Sequence, residues 1–249
     1  MTASKYFEDN NMETYRYDLH VHTKLSSACA HNTGAEMADM YKSAGYTGFV
    51  VTDHFFCGNT SVPRELPWEE WVARYHLSYE DAKKRGDEIG LDVFFGWEFS
   101  YQGTDFVTLG LDTDWLLAHP EVTKMDARRY LNLIRESGGY IIHAHPFMEA
   151  GYIPYIRLMP RLVDAVEIRN GGKPAFVNEM AAHYAESYDL TVTGGSDSHN
   201  DHWGTLTGVE FDRRITSVND LTETLKLRQH RVFAMIRQED GTYLDEEKL

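Results

Sequence analysis

Twelve histidines are distributed unevenly along the 249 residues. Those able to do chemistry together recur in short runs: His20-Val21-His22, Asp53-His54, His143-Ala144-His145-Pro146 and Asp197-Ser198-His199, with a lone Glu98 between them. In an extended strand alternate side chains share a face, so His20 and His22 can reach one ion together. Asp197 with His199, and His143 with His145, have the same spacing. Imidazole nitrogens mixed with carboxylate oxygens suit zinc, manganese or iron rather than calcium. A single carboxylate such as Glu98 can bridge two ions. Any one of these histidines alone reads as a hydrogen-bonded or surface imidazole. Together they form a polar cluster whose burial is costly without a metal. His76, His119, His183, His202 and His230 have no such placement and read as ordinary histidines, and His143 is left open.

The elements that must position these residues follow from periodicity. Strands are expected at 17–21, 48–52, 92–97, 106–109, 140–142, 165–168 and 191–193. A helix is expected over 35–44, with Met37, Met40, Tyr41 and Ala44 on one face and a capping box from Thr33 to Glu36. Further helices are expected over 67–89, 126–136, 173–188 and 217–228. Strand alternating with helix argues for a parallel sheet, and about seven units favour a closed or nearly closed α/β barrel. Five of the strands then deliver a metal-type ligand at their C-terminal ends, the rim where such barrels place their chemistry. Arg169 and Asn170, at the end of 165–168, are candidates for binding substrate oxygens.

Composition narrows the class. The length suits one domain, with a core over 14–237 and loose ends at 1–13 and 238–249. A formal charge of −15 disfavours nucleic-acid polymers, which need a basic stripe, and suits a small substrate neutralised locally by metal. Two cysteines, Cys29 and Cys57, are too few for a disulfide framework. No apolar run approaches a membrane span and the first 18 residues are unlike a signal peptide, so a cytoplasmic location is expected. Oligomeric state is not legible.

The motifs Asp18-Leu19-His20-Val21-His22-Thr23, Thr52-Asp53-His54, Glu98, Ala144-His145-Pro146 and Gly195-Ser196-Asp197-Ser198-His199 resemble, in order, those of the PHP (polymerase and histidinol phosphatase) family. The resemblance covers about Tyr17 to His199. It implies a distorted (β/α)7 TIM-like barrel with two or three divalent ions, zinc, manganese or iron, at its rim. His20, His22, Glu98 and Asp197 would hold the first ion, Glu98 and His145 the second, His54 and His199 the third. Asp53 would support the ligands from behind. Two positions depart from the pattern. Ser27 and Ala28 stand where many members complete the third site; His31 or Cys29 could substitute, and His31 is preferred because imidazole is the commoner ligand. The usual histidine after the glutamate strand is missing, and Asp105 or a water would take its place.

The expected reaction is hydrolysis of a small phosphomonoester, a phosphorylated metabolite or nucleotide, by water activated at the ions. The alternatives are a barrel hydrolase acting on a C–N bond and a non-catalytic metal-binding module.

Overall fold

The structure, a computed structural model, describes residues 14–246. Ten strands form one sheet: β1 (Tyr15–Val21), β2 (Gly48–Val51), β3 (Asp92–Tyr101), β4 (Thr104–Leu109), β5 (Tyr140–Ala144), β6 (Ala165–Asn170), β7 (Thr191–Gly195), β8 (Thr205–Phe211), β9 (Arg231–Arg237) and β10 (Tyr243–Asp245). Their order across the sheet is β10-β9-β8-β1-β2-β3-β4-β5-β6-β7. Neighbours β1–β2, β2–β3, β5–β6 and β6–β7 are parallel. The helices are α1 (Gly34–Ser43), α2 (Trp68–Ile89), α3 (Thr113–Ala118), α4 (Ala127–Glu136), α5 (Ala175–Ser187) and α6 (Val218–Lys226), with a 3-10 turn at Pro120–Lys124.

The α/β class holds, but the sheet is a curled half-barrel rather than a ring of repeated parallel units. β4 runs antiparallel between β3 and β5. Gln102 (φ 51°) and Gly103 (φ 79°) make a tight turn with two left-handed residues, which suits a hairpin rather than a crossover. β8, β9 and β10 form an antiparallel flank on the far side of β1. Curling brings the segment after β7 against β1: the Asp197 amide donates to the His20 carbonyl (2.8 Å) and the His22 amide to the Ser198 carbonyl (3.0 Å).

The 238–249 end expected to be loose is, up to Glu246, the turn and strand of β10. The Gln238 amide donates to the Thr242 carbonyl (2.7 Å), and the Tyr243 hydroxyl to the Trp203 carbonyl (2.6 Å). Residues 1–13, also expected to be loose, lie outside the described residues.

The helices form where their caps and stripes require. The Thr33 hydroxyl accepts from the Glu36 amide (3.1 Å) while the Glu36 carboxylate accepts from the Thr33 amide (2.7 Å), a capping box of about 1 kcal/mol. Gly34 lets α1 lie directly on α2: a Cβ there would meet the Ser78 carbonyl at 2.6 Å. Trp71 and Tyr75 of α2 are buried with Phe55 and Trp97 under the sheet, which makes that aromatic stripe core. Among the described residues no helix is long and apolar enough to cross a membrane.

Candidate metal centre

The rim gathers residues from both halves of the curled sheet. His20 lies in β1 and His22 one residue past it; Glu98 lies in β3, and His54 bridges to it just after β2. His145 directly follows β5, and Asp197 and His199 follow β7. Two of these residues sit where the backbone turns left-handed, His145 at φ 27° and Asp197 at φ 52°. Such conformations cost about 1–3 kcal/mol in a non-glycine residue and cluster at functional sites. Here they aim the side chains inward as the strands end.

That turn separates His145 from His143, which the two-residue spacing had placed on the same face. His143 is fully buried on the helix side, stacked on Phe106 (4.9 Å between ring centres) and edge-on to Tyr184 of α5 (5.9 Å). Neither ring nitrogen has a partner, and burial pushes its pKa down to about 3.

Glu98 is the hub. Its Oε1 lies 3.1 Å from His20 Nε2 and 3.4 Å from His145 Nε2. Its Oε2 lies 2.6 Å from His54 Nδ1 and 3.7 Å from His22 Nε2. Asp197 Oδ1 stands 3.2 Å from His22 Nε2 and 3.7 Å from His20 Nε2.

Behind the cluster, the other nitrogen of three histidines is held by protein. His20 Nδ1 meets Glu167 Oε1 at 3.0 Å. His199 Nδ1 donates to the Asp197 carbonyl at 2.7 Å. Ser27 Oγ gives its one proton to Asp53 Oδ1 (2.6 Å) and takes the His54 amide (3.0 Å), so the remaining contact, from His22 Nδ1 (3.1 Å), must be donated by the imidazole. His22 therefore turns an Nε2 lone pair to the cluster. Orientation of ligating imidazoles by such partners is the usual construction of metal sites.

The donor set fits divalent ions. Four triads have ligand atoms within 4.8 Å of one another: His22/His54/His199, His20/His145/Asp197, His20/His22/Glu98 and Glu98/Asp105/His145. His20 Nε2, His22 Nε2, His54 Nδ1 and Glu98 Oε2 are buried, and although they crowd one another none makes a well-aligned hydrogen bond. The electrostatics call for positive charge at the same point. Burial alone would lower the His20 pKa, but Glu167, Asp197 and Glu98 hold it well above the ordinary imidazole value. Burial would raise Glu98, yet His20 and His54 keep it well below the usual carboxylate range. Asp105 is pushed up by burial and by the charge of Glu98.

Not every expected residue is here. His31 is exposed; only its backbone amide reaches the area, donating to the His199 carbonyl (2.8 Å). Cys29, the alternative, lines the cavity beside His54 and His199; burial pushes its thiol up, but these two imidazoles bring it down to about 6. Arg169 instead pairs with Glu246 at the β6 flank. The Asn170 side chain is consumed by the fold, donating to Glu167 Oε2 (2.8 Å) and accepting from the Gly172 amide (2.9 Å).

Two charged residues went unforeseen. Glu167, one acidic side chain in the apolar run of β6, could have been flagged by that oddity. Lys173 Nζ lies 2.6 Å from Asp197 Oδ2, and nothing in the turn before it distinguishes it from a surface lysine. The cluster floors a cavity of about 550 Å³ whose wall includes Lys173, Met148, Tyr152 and the segment Cys57–Asn59.

A model of the PHP domain matches residues 18–224, and the chain belongs to that family. Two solved structures share the fold. One is a two-domain protein from Bacteroides vulgatus containing a predicted PHP-like metal-dependent phosphoesterase (17% identity, TM-score 0.67). That match covers 89% of this chain and 64% of the other, so this chain spans less than two thirds of its length. The other is PsfC from Pseudomonas syringae (18% identity, TM-score 0.60), covering 87% of this chain and 95% of that one. No curated protein matches the chain.

Proposed function

We propose that the chain is a metal-dependent phosphoesterase that hydrolyses a small phosphomonoester, on a distorted (β/α)7 barrel of its family's type. Two or three divalent ions, zinc, manganese or iron, would be held by His20, His22, Glu98 and Asp197, by Glu98, His145 and Asp105, and by His54 with His199. Ions so placed supply Lewis acidity and an activated water. The residues of the chain do the rest. Glu167 and Ser27 keep the His20 and His22 rings turned so that each Nε2 faces the cluster. Lys173, largely buried beside Asp197, keeps its charge because Asp197, Glu98 and Glu167 outweigh the cost of burial, and it is placed to hold a phosphoryl oxygen. Tyr152 and Met148 at the mouth offer apolar surface to a leaving group.

The observation that carries this reading is the cavity: about 550 Å³, with His54, Glu98, His145, Asp197 and His199 at its floor and an ammonium in its wall. That volume suits a metabolite or mononucleotide. The charge of −15 outside it disfavours a polynucleotide. A panel of small phosphomonoesters assayed with manganese or zinc should release phosphate, with little degradation of long DNA or RNA under the same conditions. Efficient polynucleotide cleavage without phosphate release, or cleavage of amides alone, would show the substrate class to be wrong.

A further inference from the structure

Cys29 sits where the sequence left a ligand position open. Its thiol is half-buried, lines the cavity together with His54 and His199, and is in electrostatic contact with both imidazoles. Since His199 Nδ1 is committed to the Asp197 carbonyl, Nε2 is the nitrogen of that ring left free for a ligand role. His22 Nε2, buried without a well-aligned hydrogen bond, points into the same group, and the ligand atoms of His22, His54 and His199 lie within 4.8 Å of one another. The loop around Cys29 is pinned on both sides, by the Ala28 amide on the Asn59 carbonyl (2.8 Å) and the His31 amide on the His199 carbonyl (2.8 Å). Ser27, the other residue in the open place, has its hydroxyl fully committed to Asp53, His22 and the His54 amide.

We propose that Cys29 sulfur is a direct ligand of the ion held by His54 and His199. The inference rests on the metal centre proposed above. It divides that centre into two chemistries. Around Glu98, Asp105 and His145 the donors are two carboxylates and one imidazole, which accept manganese or iron. Around Cys29, His54 and His199 they are a sulfur and imidazoles, which select zinc or cobalt over manganese or magnesium. The thiol proton leaves to solvent as the ion binds.

The test is spectroscopic and needs no turnover. The full chain is loaded with cobalt(II), its cobalt content is measured by elemental analysis, and the near-ultraviolet sulfur-to-cobalt charge-transfer band is recorded. The wild-type chain should show the band. Cys29→Ser should lose it and bind cobalt at one position at least about tenfold more weakly. Cys57→Ser, which changes the other thiol of the cavity wall, and His31→Ala should both keep it. Cobalt bound without the band, or a band that survives Cys29→Ser, overturns the thiolate ligand while leaving the metal centre standing. A chain that takes up no cobalt overturns both.

Discussion

Glu98 is the residue on which the cluster converges, touching imidazoles from β1, from the turn after β2 and from the turn after β5. Glu98→Gln keeps its shape and removes the charge that neighbouring cations would share. It is expected to weaken metal binding by 10–100-fold or more and abolish turnover; full metal content with full activity would rule out a bridging role. His143 gives the opposite expectation. Its two ring nitrogens are buried and unpaired, at a cost on the order of 1–3 kcal/mol. His143→Phe should retain every bound ion and stabilise the fold by ~1 kcal/mol, read from denaturant midpoints and elemental analysis; lost metal would restore His143 to the centre. These two residues mark what was legible. Ligand types at strand ends stand out in any reading of the chain. Which of two histidines faces inward depended on one backbone angle at His145, which strict alternation does not express.

At the scale of elements, the seven expected strands and five expected helices all exist, with ends shifted by a few residues. The direction of β4 was missed because Gln102-Gly103 is a weaker turn signal than Asn-Gly or Asp-Gly. β8 was missed because Thr205–Phe211 carries a glycine at its centre, and β9 because it begins and ends in arginine. The glycines of β7 and β8 explain how the flank fits. A Cβ on Gly194 would meet the Gly208 carbonyl at 2.7 Å, and one on Gly195 would collide with Glu167 Oε1 and meet His20 Cβ at 2.5 Å. Gly195→Ala should therefore push Glu167 off His20, costing about 1–3 kcal/mol of stability and about tenfold in metal affinity. A metal titration beside thermal unfolding checks it; unaltered affinity would mean that the Glu167–His20 contact does not position the ligand.

Across the whole molecule, acid sensitivity has a source far from the rim. The His230 ring donates through Nε2 to the Val192 carbonyl (2.7 Å), and burial lowers its pKa below the ordinary imidazole value. An unfolded histidine takes its proton near ~6.5, so below that pH the unfolded chain binds more protons than the folded one. Its contribution is therefore complete above ~6.5 and is lost as the pH falls toward the lower folded value. Gln at this position can donate to the same carbonyl without titrating. Urea midpoints of His230→Gln should fall less between pH 7 and 5 than those of the wild type; parallel curves would clear His230 of the effect.

The seam where β1 meets the segment after β7 carries a consequence for folding order. The Ser196 amide donates to Asp18 across 178 positions of chain, and closing a loop of that length costs on the order of 5 kcal/mol in chain entropy. The intervening strands and helices must be in place before that contact forms, so the rim is among the last parts of the curled sheet to assemble. An ion held by His20 on one side and Asp197 on the other would arrive after folding is nearly done. Because it would tie the two sides of the seam together, such an ion would also slow the seam's opening, so metal should protect these strand ends from hydrogen exchange.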